Sequence, residues 1–463
     1  MLTSHLKRLS FGALFTVITL LVAATFIEKY CGTPFAVEHI YHSPAFIALW
    51  AVLALSAMAY LLKRHIRIIS STFLLHVSLA VILVGAVVSF LTSERGKIYI
   101  SPGGVPASMY EMQDGKLGKL PFRIELEEFI TEHRNGAADD YIATVVVGGT
   151  EKETISMNRP LYRQGYLIYI DGYSQESVSL LVGYDPWGTG ITYGGYIMLV
   201  ASLIYLFLDK RSLLRAAANK LKGKEHESGR KHPIEIPITV AAAILFAVLS
   251  IMGTLRWIET SHFPASDGHG TTLLLAWCAL LTGFVVRKRT KLLMYPAFTV
   301  AAIATFAAAI TTGGSGEAAP VLRTPLLALH VTTIIVAYAI IGCTAIVSAI
   351  GIWHMARGNR TKCERLADVG HIMLYPALSL LLTGVFIGAV WANLSWGRYW
   401  GWDPKEVWAL VTILICSIPM HRRSLPALSK PLNFHIFCIV TFIVMLFTYL
   451  GTNWIFGGMH SYL

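Results

Sequence analysis

The chain has 463 residues, 55% of them hydrophobic and only 14% charged, with a mean hydropathy of +0.58. A soluble protein of this length needs more charge to cover its surface, so the composition excludes a soluble globular enzyme. Stretches such as FGALFTVITLLVAATFI and LLALHVTTIIVAYAIIGCTAIVSAI are long enough to cross roughly 30 Å of hydrocarbon as helices. The sequence therefore predicts a multi-pass α-helical membrane protein.

Eleven uncharged or nearly uncharged runs are candidates for membrane-spanning helices. They lie near residues 10–27, 45–62, 71–92, 189–208, 235–257, 271–286, 292–311, 326–353, 370–390, 405–420 and 433–455. The first run has the length of a full crossing and is followed by no small-residue cleavage pattern, so we expect a retained helix and not a cleaved signal peptide. The predicted fold class is a polytopic membrane protein with about 11 transmembrane helices.

The distribution of Lys and Arg predicts how these helices are oriented. If the N-terminus is cytoplasmic, the inner tails and loops hold 24 of the 38 Lys and Arg residues, whereas the short outer segments hold five. This asymmetry is the positive-inside rule. The net charge of +11 is therefore a topology signal, and no nucleic-acid partner is needed to explain it.

One segment breaks the pattern of apolar runs. Residues 93–187 alternate apolar and polar side chains, as in FRIELEEF and YLIYIDGY, which predicts one small extracytoplasmic antiparallel β-domain with a net charge of −5. Three helices precede it in residues 1–92 and a fourth follows at 188–208. A basic cytoplasmic linker at 209–233 then leads to a seven-helix domain at 234–463. The linker resembles the joint of a fusion between two proteins.

The six cysteines give no redox signature. Four lie within predicted spans, Cys363 is on the predicted inner side, and only Cys31 faces outward. Because the chain contains no C-x-x-C, it is predicted to be neither a thiol oxidoreductase nor itself a c-type cytochrome.

The segment WANLSWGRYWGWDPKEVW, residues 391–408, holds five of the eleven tryptophans. On the predicted topology it is an outer loop, where Trp rings commonly rest at the lipid headgroups as an aromatic belt. The crowding and the glycine hinges favour a second interpretation, an apolar platform for a large planar ligand. Asp403 has a structural explanation, because with Pro404 and Glu406 it fits a capping box at the start of the next helix.

Four of the sixteen histidines are placed so that they can form pairs. His330 and His460 lie at the predicted outer face, whereas His76 and His421 lie near the inner face. A span of roughly 34 Å, at about 1.5 Å per residue, separates His421 from His460, so these two cannot share one metal. Ionisable side chains within spans are functional candidates, and six-coordinate haem iron requires two imidazoles across an apolar slot. The other histidines are interpreted as solvated or as facing lipid headgroups, among them His354, His371 and His435.

The tryptophan segment resembles a known motif. WGRYWGWDPKEVWAL fits the tryptophan-rich WWD motif, WGxxWxWDPKE, of the haem-handling proteins of System II cytochrome c biogenesis, called CcsA or ResC. The resemblance covers about residues 320–463 and includes an LH before a span and YLGxN…GxHSY at the end. The N-terminal part is similar to the partner family, CcsB or ResB, through LLHVSLAVILVGAVVSFLTSERG and NRPLYRQGYLIYIDGYSQ. The chain thus resembles a natural fusion of the two families.

This resemblance implies a holocytochrome c synthase, a haem lyase embedded in the lipid of the bacterial inner membrane, with its β-domain and tryptophan loop on the periplasmic side. Haem b would be moved to the outer face and attached through thioether bonds to C-x-x-C-H motifs of apocytochrome c, with thiol-reducing proteins as further partners. The resemblance implies two pairs of iron ligands, His330 with His460 and His76 with His421. The residues expected to lie against the porphyrin are Trp391, Trp396, Trp400, Trp402, Asp403 and Arg398.

In chemical terms the chain is expected to supply orientation, and no general acid or base is assigned. Arg398 fits a haem propionate or a lipid phosphate equally well. Two other functions remain open. One is a haem exporter or apocytochrome chaperone without bond-forming activity. The other is a quinone-linked b-type electron-transfer cytochrome, which would usually place paired ligands on the same two helices, whereas these four histidines are on four different spans.

Overall fold

The computed structural model describes residues 2–112, 114–134, 137–174, 177–225, 235–260, 263, 267–287, 293–310 and 324–456. The N-terminal part consists of four helices followed by a sheet. The helices are α1 (Leu2–Cys31), α2 (Thr33–Ala36), α3 (Pro44–Lys63) and α4 (Ser71–Thr92), and a π-helical turn, Val37–Tyr41, separates α2 from α3. Ser43 and Ser70 cap α3 and α4 through their hydroxyl groups, and Pro44 occupies the first position of α3.

The β-domain is a single antiparallel sheet of eight strands. These are β1 (Glu94–Ile100), β2 (Ala107–Met112), β3 (Leu117–Arg134), β4 (Ala137–Val147), β5 (Glu151–Ser156), β6 (Leu161–Arg163), β7 (Tyr166–Tyr173) and β8 (Val178–Tyr184), in the order β5-β4-β3-β2-β1-β8-β7-β6. Strands β1 and β8 pair from Glu94–Tyr184 to Ile100–Val178. The chain therefore enters the sheet and leaves it at the same place, next to the membrane helices. We call this end of the helical bundle the sheet end.

The rest of the chain is helical. It comprises α5 (Gly188–Leu208), α6 (Leu213–Glu225), α7 (Glu235–Thr260), α8 (Gly268–Arg287), α9 (Met294–Ile310), α10 (Pro325–Ala356), α11 (Arg360–Trp396), α12 (Pro404–Ser417), α13 (Pro431–Leu446) and α14 (Thr452–Ile455). A π-helical turn, Phe447–Gly451, joins α13 to α14. Helices α10 and α11 hold many of the buried residues of the main core.

These elements confirm the predicted fold class, with two differences. Among the residues that the structure describes, nine helices are long and apolar enough to cross a membrane. Two of the eleven predicted spans are shorter helices, since α9 has 17 residues and α12 has 14. The other difference is α6, which lies inside the segment predicted as a polar linker. Its sequence LLRAAANKLKGKE is rich in good helix formers, and its Leu221 packs against the main core.

The N-terminal helices pack directly against the C-terminal ones. Val17 and Leu21 of α1 are fully buried in a cluster with Val407 and Val411 of α12. Leu199 of α5 is likewise fully buried in the core that α10 and α11 form. The two halves of the chain therefore share apolar cores.

Helices α4 and α5 approach each other closely because glycines line their contact. A Cβ atom built on Gly85 of α4 lies 2.3 Å from the hydroxyl oxygen and 2.6 Å from the backbone nitrogen of Thr192. One built on Gly188 of α5 lies 2.3 Å from the backbone nitrogen of Ser89. Small residues let membrane helices pack backbone to backbone in this way. This contact anchors the sheet to the helical bundle, because β1 directly follows α4 and α5 directly follows β8.

We expect Gly85→Ala to lower the free energy of unfolding by about 1–3 kcal/mol, as overpacking of a close contact does. The measurement is thermal unfolding of the purified protein in one detergent. The matched control is Gly194→Ala in α5, where a Cβ would meet nothing within 4 Å, so that substitution should be neutral or slightly stabilising. Equal melting temperatures for the two variants would contradict the close packing.

Candidate functional site

The tryptophan segment begins at the C-terminus of α11, at the sheet end. Gly397 ends this helix in a left-handed conformation with φ of 71°, and its N–H donates to the carbonyl of Asn393 at 3.1 Å. A Cβ at Gly397 would lie 2.2 Å from the ring of Tyr169 in β7. Glycine is therefore required here both by the backbone conformation and by the close approach of the β-domain.

The tryptophans form two edge-to-face pairs and not one coplanar platform. The ring centroids of Trp391 and Trp396 are 4.7 Å apart at an interplanar angle of 68°. Those of Trp400 and Trp402 are 5.9 Å apart at 85°. Within the described part of the chain, the buried indole N–H groups of Trp391 and Trp400 have no hydrogen-bond partner. Buried N–H groups are normally paired, so these two donors are exceptions among the described residues.

Trp402 is held by the N-terminal half of the chain. Its ring stacks on Tyr41 with a centroid distance of 4.4 Å and an interplanar angle of 8°, and Phe46 meets both rings edge-on, at 5.7 Å from Trp402 and 5.9 Å from Tyr41. Trp402 also has a positive φ of 59°, which is uncommon for a bulky residue. Sequence reasoning missed both partners, because the segment HIYHSPAF that carries them has no motif.

Asp403 caps α12 as predicted. Its carboxylate accepts a hydrogen bond from the backbone of Lys405 at 2.9 Å, and Glu406 accepts from the N–H of Asp403 at 3.3 Å, which completes a capping box. Pro404 occupies the first helical position. Glu406 also accepts from the N–H of Gly401 at 2.8 Å, so the cap fixes the end of the tryptophan segment.

The β-domain and α5 fix the start of the same segment. The hydroxyl of Tyr169 donates to the carbonyl of Gly397 at 3.4 Å, and Ser395 donates to Asn158. The hydroxyl of Tyr399 donates to Ser89 at 2.8 Å. Arg398 lies half-buried between these contacts. The segment is therefore clamped on one side by α3 and the π-helical turn, and on the other by the sheet.

His330 lies on α10 beside the last turns of α11. Its Nδ1 is 2.7 Å from the carbonyl oxygen of Gly384, and a Cβ at Gly388 would lie 2.5 Å from its ring. When Nδ1 donates that bond, Nε2 carries the lone pair, which is the arrangement of a metal-binding histidine. His460, its predicted partner, lies outside the described residues, so this pair stays a prediction.

The rings of His76 and His421 face each other at the end of the bundle opposite to the sheet. Their centroids are 6.1 Å apart and their planes are nearly perpendicular, at 88°. Metal–imidazole bonds are about 2 Å long, so two imidazoles on opposite sides of one ion have centroids roughly 6 Å apart. Phe11 of α1 meets His421 edge-on at 5.7 Å and provides an apolar wall. The spacing fits one six-coordinate iron.

Hydrogen bonds to the backbone fix the tautomers of this pair. Nδ1 of His76 is 2.8 Å from the carbonyl of Thr72, and Nδ1 of His421 is 2.9 Å from the carbonyl of Ser417. In each case the hydrogen-bond acceptor is the backbone carbonyl four residues earlier, one helical turn back along the chain. When Nδ1 is the donor, Nε2 carries the lone pair. Such backing is typical of histidines that bind metals.

Two other histidines near that end are buried and do not face lipid headgroups. His371 is 7% exposed and His435 is fully buried. Nε2 of His435 is 3.1 Å from the carbonyl of Cys363, and its ring fills the space above Gly351. The sequence interpretation of these two was wrong, because His435 of α13 packs against α10 and α11, and the ring of His371 packs against Tyr375 and against Phe434 of α13.

Comparison with known proteins places the chain in a family. Residues 266–460 match the family model described as cytochrome C assembly protein, and residues 70–190 match the ResB-like family. The chain is 34% identical to the cytochrome c biogenesis protein CcsA of Chlamydomonas reinhardtii over 50% of this chain and 69% of that relative. The chain belongs to the CcsA family of cytochrome c biogenesis proteins and carries a ResB-like region in the same polypeptide, which fits a System II CcsB–CcsA fusion.

Two further relatives show how the lengths compare. The CcsA protein of Parasynechococcus marenigrum strain WH8102 is 25% identical over 59% of this chain and 95% of its own length. Protein NrfI of Wolinella succinogenes is 29% identical over 50% of this chain, but this match spans only 26% of NrfI. The chain therefore corresponds to about a quarter of NrfI and to most of a CcsA protein.

We expect Asp403→Ala to lower the free energy of unfolding by about 1 kcal/mol, because it removes the N-cap of α12. Asp403→Ser should retain stability, since a serine hydroxyl also caps helices. Thermal unfolding of both variants, together with their haem content, distinguishes a cap from a ligand. If the serine variant is stable yet loses haem, the carboxylate has a role beyond capping.

Proposed function

We propose that the protein is a holocytochrome c synthase that moves haem b across the bacterial inner membrane and attaches it to apocytochrome c. In this proposal haem is the substrate, received between His76 and His421 and passed to the tryptophan segment at the sheet end. The distribution of Lys and Arg supports an orientation with the sheet end in the periplasm. The second substrate is a C-x-x-C-H segment of apocytochrome c.

One observation carries the proposal. His76 lies in the region that matches the ResB-like family, and His421 lies in the region that matches the cytochrome C assembly protein. These rings face each other at 6.1 Å with both Nδ1 atoms at hydrogen-bond distance from the backbone. Ionisable side chains at membrane depth are costly and are typically functional. A two-histidine iron site built from both regions explains why both occur in one protein.

The separation between the two ends of the bundle supports a transfer of haem between two sites and not binding at a single site. Helix α12 separates Asp403, at the tryptophan segment, from His421, which ends the 3₁₀ turn after the helix. Its 14 residues rise about 21 Å at 1.5 Å per residue. Haem would therefore occupy two separate positions. At the sheet end, His330 is the candidate iron ligand that lies among the described residues.

The proposed reaction adds each cysteine S–H across a vinyl group of haem. The sulfur bonds to one vinyl carbon and the proton goes to the other, so no oxidant or reductant is consumed in that step. The chain would contribute orientation: clamped at both ends, the tryptophan segment holds its substrate in a fixed position against the incoming thiols. Positioning of this kind lowers the entropic barrier of a reaction between two partners.

Co-expression with a C-x-x-C-H substrate in bacteria that lack their own maturation system tests the function. We expect covalent haem on the substrate, read by a haem stain after a denaturing gel. A substrate with A-x-x-A-H is the control and should remain unstained. If the protein carries haem but the substrate never acquires it covalently, the bond-forming activity is refuted and a haem exporter or chaperone is favoured.

We expect His76→Ala or His421→Ala to weaken haem binding at the end opposite to the sheet by at least roughly 10-fold, since losing even a residue behind a metal ligand costs about 10–100-fold. The measurement is haem content and the absorption spectrum of the purified protein, with and without added imidazole. His354→Ala is the matched control, because this histidine lies at the same end but contacts Trp353 and not the pair. Full haem content with an unchanged spectrum in both variants would refute the assignment.

A further inference from the structure

We propose that Tyr41 is a positioning residue for haem attachment, because it holds the ring of Trp402 in the tryptophan segment. This inference rests on the proposed function and deepens it. The two family matches cover residues 70–190 and 266–460, so Tyr41 lies outside both of them. The inference therefore gives the region before residue 70 a part in the reaction.

A short turn with two side-chain hydrogen bonds places Tyr41 beside α3. Tyr41 is the last residue of the π-helical turn Val37–Tyr41 and is 2% exposed. The hydroxyl of Ser43 donates to the carbonyl of Ile40 at 2.7 Å and accepts from the N–H of Phe46 at 3.2 Å. This one side chain therefore fixes the π-helical turn to the start of α3, and the ring centroids of Tyr41 and Phe46 lie 5.9 Å apart.

The conformation of Trp402 requires support from its surroundings. Its positive φ of 59° is unfavourable for a bulky side chain, and such a conformation persists only where the surrounding structure enforces it. The flat stack on Tyr41, at 4.4 Å and 8°, supplies that support because it covers one face of the indole. Aromatic contacts of this kind are favourable beyond the apolar area that they bury. Without the ring of Tyr41, we expect Trp402 to return to a negative φ and its indole to leave this position.

The position of Trp402 in turn determines the surroundings of Trp400. The two rings meet edge to face, with their centroids 5.9 Å apart. Trp402 packs against the cluster to which α1, α3 and α12 contribute, whereas Trp400 packs against the main core, which includes α10 and α11. The pair therefore links two apolar cores. In the proposed function this pair belongs to the segment that receives haem, so a displaced Trp402 would change where the vinyl groups lie.

The aromatic ring of Tyr41, and not its hydroxyl, has this role. The hydroxyl oxygen is buried and has no hydrogen-bond partner within the described part of the chain. Burial raises the pKa of Tyr41, so the hydroxyl keeps its proton at neutral pH and provides neither a charge nor a base. Removing the hydroxyl therefore takes away an unsatisfied polar group and leaves the stack intact.

The test measures covalent haem attachment in the co-expression strain, as the initial rate on the C-x-x-C-H substrate divided by the amount of each variant in the membrane. We expect Tyr41→Phe to attach haem at the rate of the parent. Tyr41→Leu removes the flat ring, and we expect it to be at least about 10-fold slower, since a small misplacement of reacting groups can cost about 100-fold. A parental rate in Tyr41→Leu, or an equal loss in Tyr41→Phe, overturns the inference.

A double-mutant cycle with Trp402→Leu shows whether Tyr41 acts through Trp402. If it does, Trp402→Leu alone and the double variant with Tyr41→Leu have the same rate within about 2-fold, because the stack is already lost in the single variant. Independent roles would multiply the two losses, and that result overturns the inference. Where both rates fall below detection, thermal unfolding of the same four proteins decides, since the two single losses of stability should again fail to add.

Trp50→Leu is the matched control for loss of a ring from the same cluster. Trp50 packs against that cluster and meets Phe46 edge-on at 6.3 Å, and it is Phe46 and not Trp402 that its ring contacts among the described aromatic pairs. We expect this variant to attach haem at close to the parental rate. Equal losses in Tyr41→Leu and Trp50→Leu overturn the inference, because they indicate a general loss of packing.

Tyr41→Met replaces Tyr41→Leu if the leucine variant does not reach the membrane, because methionine fills an irregular space without a flat ring. The parent protein separates failure of the inference from failure of the proposed function. If the parent attaches no haem, the proposed function fails and the inference with it. If the parent attaches haem and the variants without the ring match it, only the role of Tyr41 is wrong.

Discussion

The hydrocarbon core of a membrane offers no hydrogen-bond partners, and every polar atom placed in it must be satisfied by the protein. The facing histidines at the end opposite to the sheet meet this constraint locally. Nδ1 of His76 bonds to Thr72 and Nδ1 of His421 bonds to Ser417, each one turn back along its own helical segment. The orientation of the second nitrogen is therefore set by the helix itself. Only the distance between the two rings depends on how the helices pack.

That packing couples the two halves of the chain at both ends of the bundle. Phe11 of α1 contacts His421 of the histidine pair. Later residues of the same helix, Val17 and Leu21, pack against α12. At the sheet end, Tyr41 stacks on Trp402 and Tyr169 bonds to Gly397. Helix α12 runs between these contacts. A shift of α1 relative to α12 would therefore change the histidine pair and the tryptophan segment together.

Local signals in the sequence predicted the elements well, and long-range contacts lay beyond them. The helices and the sheet followed from hydropathy and alternation, and the cap at Asp403 followed from the DPKE sequence, because each of these signals acts within a few residues. The stack of Tyr41 on Trp402 joins segments from opposite ends of the chain and leaves no local trace. The burial of His435 also leaves no local signal in the sequence. Its polarity suggested a position at the lipid headgroups, but its ring packs against Gly351 and lies at hydrogen-bond distance from the carbonyl of Cys363.

The joining of two families in one chain has a physical consequence for the proposed function. The histidine pair draws one ring from the ResB-like region and one from the cytochrome C assembly region. Two separate proteins would assemble this pair only after losing translational and rotational freedom on association. A covalent connection makes that step intramolecular, with an effective concentration in the millimolar range for short linkers. Helix α6, which packs Leu221 on the main core, shortens the connection further. Anchoring α6 on the core thus lowers the entropic cost of bringing His76 and His421 together in the proposed site.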